Sequence, residues 1–132
     1  MASFNTEYLT IPGLKANSTG LATSQYKIVK IASTAGQVVL NATSAFAGNV
    51  VGVLMNAPGA NEEAEVAVSG VVKLIVATST IVAGDVIGCN TTSKGTDGGT
   101  TDNGSRIGKA IQASAAANDI ISVLLTPGGW RY

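Results

Sequence analysis

The chain has 132 residues with eight basic and eight acidic side chains, so its formal net charge is zero. This length suffices for one domain, and so balanced a charge excludes a long-range field that would attract nucleic acid, an anionic membrane or a highly charged substrate. The sequence contains no histidine and one cysteine, Cys89. These counts exclude a Ser-His-Asp or Cys-His catalytic arrangement, a zinc site of several Cys and His ligands, and an intramolecular disulfide. We expect Cys89 to be a small buried apolar residue in a protein that folds in a reducing compartment.

The N-terminal segment, residues 1–24, mixes Ser, Thr, Asn and Gly with scattered apolar residues, among them Phe4, Tyr8 and Leu9. A disordered tail rarely carries so many apolar side chains. We therefore predict an extended N-terminal arm that lies either against its own domain or against a neighbour.

From Gln25 onward, short β-branched stretches alternate with turn signals, which predicts strands. The stretches are QYKIVKIA, AGQVVL, NVVGVLM, EEAEVAVSG, VVKLIVAT, DVIGC, RIGKAIQA and DIISVLLT. Gly70 is expected to separate the fourth from the fifth, and residues 90–105 are expected to form a long surface loop that buries little. About eight short strands with hardly any helical periodicity predict an all-β fold, a small β-barrel or β-sandwich over residues 25–126.

The uncharged stretch 31–61 is long enough to cross a bilayer, but Gln, Asn, Pro and Gly interrupt it, so it predicts short strands and no transmembrane helix. The basic residues are dispersed, which does not favour nucleic-acid binding.

Acidic side chains offer the remaining chemistry. Glu62, Glu63 and Glu65 form the one cluster, but they lie at a polar turn where solvent surrounds them. Asp97 and Asp102 lie in a glycine-rich loop that lacks the acid spacing of a calcium-binding EF-hand. We predict no catalytic residue, no cofactor and no metal.

The C-terminal segment, residues 127–132, reads PGGWRY and contains Trp130, Arg131 and Tyr132. Trp, Tyr and Arg are enriched at binding hot spots. Two alternatives stay open: Trp130 folds back into its own domain, or it contacts a partner.

Three stretches, in this order, resemble the phage capsid cement (head decoration) proteins: NVVGVLMNAPGANEEAEVAVSGVVKLIVA, STIVAGDVIGCNTTSKG and GSRIGKAIQASAAANDIISVLL. The matching features are a Gly-Val strand, a Val-rich strand ending in glycine, a Gly-Asp-Val corner, a Gly-x-Ala strand and a closing strand. They are carried by Gly52–Val53, Gly70, Gly84–Val86, Gly108 with Ala110, and Ile121–Leu125.

The resemblance implies a structural, non-enzymatic protein on the exterior of an icosahedral phage head, made in the host cytoplasm. Such proteins are often trimers at threefold positions that clamp neighbouring capsomers, so the implied partners are the major capsid protein and further copies of this chain. The arm and the tail lie outside the resemblance. We hypothesise that they carry the intersubunit or capsid contacts, through Phe4, Tyr8, Leu9, Trp130, Arg131 and Tyr132.

Three other functions compete with this one. Another phage component, such as a head fibre base or a tail protein, would share the neutral β composition. A carrier-type barrel-sandwich domain needs a lysine at an exposed hairpin tip, and the turns STIVAGD and NAPGAN have none. A carbohydrate-active enzyme would depend on Glu63 and Glu65, whose solvated position does not favour acid–base catalysis.

Overall fold

The structure is a computed structural model, and it describes residues 6–42, 50–97 and 106–126. These residues form ten strands and no helix, which confirms the all-β prediction. The strands are β1 (Glu7–Ile11), β2 (Lys15–Ala16), β3 (Ile28–Ile31), β4 (Gln37–Leu40), β5 (Val50–Leu54), β6 (Val66–Ile75), β7 (Val86–Cys89), β8 (Gly95–Asp97), β9 (Arg106–Ala110) and β10 (Ile120–Leu125).

All ten strands belong to one sheet with the hydrogen-bonded order β2-β4-β3-β5-β6-β10-β9-β7-β8. Strand β1 pairs with β6 outside this order. Because β1 and β10 both pair with Gly70 and Val71, they flank β6 on opposite edges. Within the described residues the sheet does not close, so the structure differs from the expected barrel or sandwich of about eight strands.

Two of the additional strands are too short to show a periodic pattern. Strand β2 has two residues and lies parallel to β4, and β8 has three residues and pairs with β7. Strand β8 also corrects the predicted loop 90–105, because Ser93 and Gly95 are buried. The turn before β8 is held by the side-chain oxygen of Asn90, which accepts hydrogen bonds from the backbone N–H groups of Thr92 and Lys94 at 3.0 Å each.

Gly70 does not end a strand, as the sequence had suggested, but lies inside the ten-residue β6. Its φ of +100° falls in the left-handed region that favours glycine. A Cβ at this position would lie 2.3 Å from the carbonyl oxygen of Glu7. Glycine therefore lets β1 approach β6 while β6 continues to its pairing with β10.

Apolar residues form two clusters on opposite sides of the central strands. The main core contains Ile28 and Val53, and the second core contains their chain neighbours Val29 and Leu54. Because side chains alternate along a strand, β3 and β5 are buried on both faces. The remaining members of the second core are Leu14, Ala16, Leu21, Val38, Ala64 and Val66.

The second core shows where part of the predicted arm lies. Leu14, Ala16 and Leu21 are all buried in it, and β1 and β2 pair with β6 and β4. The described residues 6–24 therefore lie against their own domain, one of the two alternatives that the sequence left open.

Candidate interaction surface

The clearest candidate site is the outer face of β1, β6 and β10. Directly opposed residues of antiparallel strands share a face, and the register places Glu7, Val71, Leu124 and Lys109 in one row across β1, β6, β10 and β9. We call this surface the open face, and define it by Glu7, Leu9, Val71, Ile75, Ile120 and Leu124.

Exposed apolar side chains are concentrated on the open face. Of five large hydrophobic residues that are exposed in the described chain, three lie here: Leu9 is 69% exposed, Ile120 48% and Leu124 42%. Val71 and Ile75, the residues of β6 on the same face, are each half-buried. An apolar patch of this kind with a polar rim is typical of an interaction surface.

The charges of the open face lie mostly at its margins. Glu7 lies at the β1 end of the row and Lys109 at the β9 end, and both are exposed. Lys73 lies opposite Ser122 in the middle of the face. The open face therefore presents apolar side chains on either side of Lys73, with an acidic margin at Glu7 and a basic margin at Lys109.

Tyr8 and Leu9 point to opposite sides of β1. Tyr8 packs against the main core, and its hydroxyl donates a hydrogen bond of 2.7 Å to Oε1 of Glu65. This hydrogen bond, followed by burial and the negative charge of Glu65, raises the pKa of Tyr8 to about 12. Leu9, by contrast, faces outward.

Of the six residues predicted to make contacts, the structure brings Leu9 to the open face and places Tyr8 behind it. Phe4, Trp130, Arg131 and Tyr132 lie outside the described residues. The residues that sequence reasoning missed are Val71, Ile75, Ile120 and Leu124. A signal for them was present, because VVKLIVAT and DIISVLLT carry apolar residues at both alternating sets of positions, as strands with two apolar surroundings do.

The acidic cluster serves local structure. Glu62, Glu63 and Glu65 are exposed, as predicted. The carboxylate of Glu62 accepts the backbone N–H of Gly59 at 2.6 Å, and that of Glu65 accepts the Tyr8 hydroxyl. Within residues 6–42, 50–97 and 106–126, no group of three or more His, Cys, Asp or Glu side chains could hold a metal ion. The same ranges contain no helix long and apolar enough to cross a membrane.

Cys89 is buried in the main core, as the sequence predicted. Its Sγ accepts a hydrogen bond from the Asn41 side-chain amide and donates one to the Asn41 carbonyl, each at 3.3 Å. Burial raises the pKa of the Cys89 thiol. A buried thiol with a raised pKa is a poor nucleophile, so Cys89 serves packing.

Together these features describe a small all-β protein whose most prominent surface, the open face, carries exposed apolar side chains. The profile of the family described as phage cement protein matches residues 19–125. The chain therefore belongs to the phage cement protein family, which confirms the resemblance seen in the sequence and gives the chain a structural, capsid-stabilising role in the virion. The match includes strands β3 to β10 and begins after β1 and β2. A search of curated proteins found no match to this chain.

Proposed function

We propose that this protein binds the exterior of a phage capsid as a homotrimer at threefold positions and clamps neighbouring capsomers together. The observation that carries this proposal is the family match over residues 19–125. In this proposal the protein performs no catalysis, and its partners are the major capsid protein and further copies of itself. It is made in the host cytoplasm, and binds neither nucleic acid nor a membrane.

The open face supports a role that depends on contact. Burial of apolar surface supplies association free energy in proportion to area, without reactive groups. With a net charge of zero, long-range electrostatic attraction contributes little, so we expect binding to depend only weakly on salt. Three linked subunits raise the effective concentration of one another's contacts, so a trimer holds a shell more tightly than one subunit does.

We assign the contacts to both termini: Phe4, Tyr8 and Leu9 at one end, and Trp130, Arg131 and Tyr132 at the other. Leu9 contributes directly through its exposed side chain. Tyr8 contributes by fixing β1 against β6 through its hydrogen bond to Glu65. Trp130 is the largest apolar side chain among the six, so its truncation removes the most contact area.

The test measures binding of the purified protein to empty expanded heads, together with its oligomeric state by light scattering. We expect a trimer that saturates the heads, lower occupancy for Leu9→Lys and Trp130→Ala, and unchanged occupancy for Val82→Lys. Val82 is the matched control because it is also exposed, at 57%, but lies outside the open face.

A monomer with no affinity for heads would overturn the proposal. Binding to tails or to fibre bases, seen by electron microscopy, would replace it with the alternative of another phage component. Equal occupancy for Leu9→Lys and Val82→Lys would remove Leu9 from the contact.

A further inference from the structure

The charged row of the open face is symmetric in position and opposite in charge. Across four neighbouring strands this row holds Glu7 of β1, Val71 of β6, Leu124 of β10 and Lys109 of β9. The line midway between β6 and β10 divides it into two halves, each with an apolar residue inside and a charged residue outside. The two charged side chains are both exposed.

The next two outward positions of β6 and β10 continue this symmetry. Lys73 pairs with Ser122, and Ile75 pairs with Ile120. A rotation that exchanges the positions of β6 and β10 places isoleucine on isoleucine in one row and lysine on a small neutral serine in the other. No like charges meet in either row.

We propose that the open face packs against the open face of a second copy, about a twofold axis that runs parallel to the strands between β6 and β10. In such an isologous contact each pairing is made twice, once from each side. Val71 packs on Leu124 of the second copy, and Glu7 lies opposite Lys109 of the second copy. This contact goes beyond the threefold association proposed above, because it joins copies face to face.

The charges select this axis over the other twofold axis that lies in the plane of the face. An axis perpendicular to the strands keeps β1 over β1 and β9 over β9, so it opposes the two acidic margins and the two basic margins. Juxtaposed like charges disfavour association. Packed sheets lie about 10 Å apart, a gap that glutamate and lysine side chains bridge when they extend from opposite sides.

The size of the face sets the strength of the contact. Four strands about 4.8 Å apart, and the five residues from Val71 to Ile75 at about 3.3 Å each, give roughly 19 Å by 16 Å, or on the order of 600 Å² for two copies. Specific interfaces that are stable alone bury about 1,200–2,000 Å². The contact is therefore weak between free particles. It gains strength where particles are held side by side, because linked contacts raise one another's effective concentration.

Leu9 lies outside the symmetric rows. It pairs with Ser69, one row beyond the pair of Glu7 with Val71 on the same face. On the β9 side, the residue at this level is Ile107, whose carbonyl oxygen accepts the backbone N–H of Thr126 and whose side chain is buried in the main core. The twofold contact therefore leaves Leu9 to the capsid contact assigned to it above.

Charge reversal tests the contact in the full chain without capsids. Light scattering measures the average mass against protein concentration, and each face-to-face contact adds one particle to another. We expect the mass of the unmodified protein to rise at high micromolar concentration. Glu7→Lys and Lys109→Glu should each weaken this association about tenfold at low salt, because each places two like-charge pairs across the contact.

Combining the two reversals gives a sharper result. The double variant Glu7→Lys/Lys109→Glu should associate with itself as the unmodified protein does, because both pairs return with their signs exchanged. An equimolar mixture of the two single variants should also recover association, since one variant carries two lysines at these positions and the other two glutamates. A pairing of Glu7 with Lys109 inside one chain would be restored in the double variant but not in the mixture.

Two control variants separate the face from general effects of charge. Glu63→Lys changes the net charge as Glu7→Lys does, at an exposed residue outside the open face, and should leave association unchanged. Ile120→Lys should abolish association, whereas Val82→Lys, at a residue of similar exposure elsewhere, should not affect it. Circular dichroism and the thermal midpoint verify that each variant stays folded.

A mixture that stays as dissociated as its two components would overturn the proposal. So would equal association of the unmodified protein and both single charge variants. A mass that is independent of concentration in the unmodified protein would also overturn it, and would leave the open face to a different partner. Because these measurements contain no capsids, their outcome is separate from that of the head-binding test.

Discussion

The two ends of β1 differ in whether other segments of the chain cover the same side of the sheet. Leu9 and Ile11 point to the same side of the strand, yet Ile11 packs against the second core while Leu9 is 69% exposed. At the Ile11 end, Leu14 and Leu21 cover the sheet. At the Leu9 end, no described segment does. Both ends of β1 carry an apolar residue on this side. The open face therefore begins where the N-terminal segment stops covering the sheet.

The close approach of β5 to β6 at Gly52 should be the position most sensitive to substitution. Gly52 lies in β5 where it meets β6, and a Cβ there would lie 1.9 Å from the carbonyl oxygen of Ala67. We expect Gly52→Val to prevent folding, or to lower the free energy of unfolding by more than about 4 kcal/mol, because the backbones have to separate. Urea unfolding followed by circular dichroism measures this.

Gly36→Ala is the control for that change. Gly36 has a positive φ of +76° but open space around its Cβ position. The expected loss is about 1 kcal/mol, from backbone strain alone. Equal losses for the two variants would show that the approach of β5 to β6 is not what requires glycine.

The second core and the open face should differ in how much stability is lost when a leucine is truncated to alanine. Leu54 is fully buried in the second core and Leu124 lies on the open face. Leu54→Ala should cost about 2–5 kcal/mol of unfolding free energy because it leaves a cavity. Leu124→Ala should cost about 1 kcal/mol or less, because its side chain lies at the surface.

The same urea titration measures both leucine variants. If Leu124→Ala were as destabilising as Leu54→Ala, the open face would be part of the folding core and not a surface available for contact. Comparably small losses of unfolding free energy for both variants would instead contradict the burial of Leu54 in the second core.

The smallest expected effect concerns Tyr8 in β1, the strand that carries both Leu9 and Ile11. The pKa of Tyr8 is raised from 10.0 to about 12, so its hydroxyl contributes stability that is fully present below pH 10 and is lost as the pH rises through about 12. At neutral pH, Tyr8→Phe should cost about 0.5 kcal/mol, because solvent weakens this hydrogen bond.

A series of urea midpoints for both proteins from pH 7 upward checks this. The difference between them should stay constant up to pH 10 and then shrink toward zero. A difference that persists undiminished at higher pH would assign the effect of the substitution to packing instead of the hydrogen bond to Glu65.

Local chemistry explains which features were predictable. Alternating apolar residues predicted β3, β4, β5, β7, β9 and β10, and the Gly-Asp-Val corner at Gly84–Val86 forms a turn as expected. Gly84 has a φ of +94°, and the Asp85 carboxylate accepts the backbone N–H of Val82 at 2.9 Å. The order of these motifs also sufficed to indicate the family. Strands β2 and β8 and the continuation of β6 through Gly70 were not predictable, because they depend on pairing partners distant in sequence.

The sequence by itself determined an all-β chain without histidine, because composition and period-two alternation are local properties. It also determined that Leu124 and Val123 lie on opposite faces of one strand. Only the tertiary structure decided that Val123 is fully buried while Leu124 is 42% exposed. The physical reason is that alternation distinguishes two faces of a strand, whereas burial depends on which distant segment packs over each face.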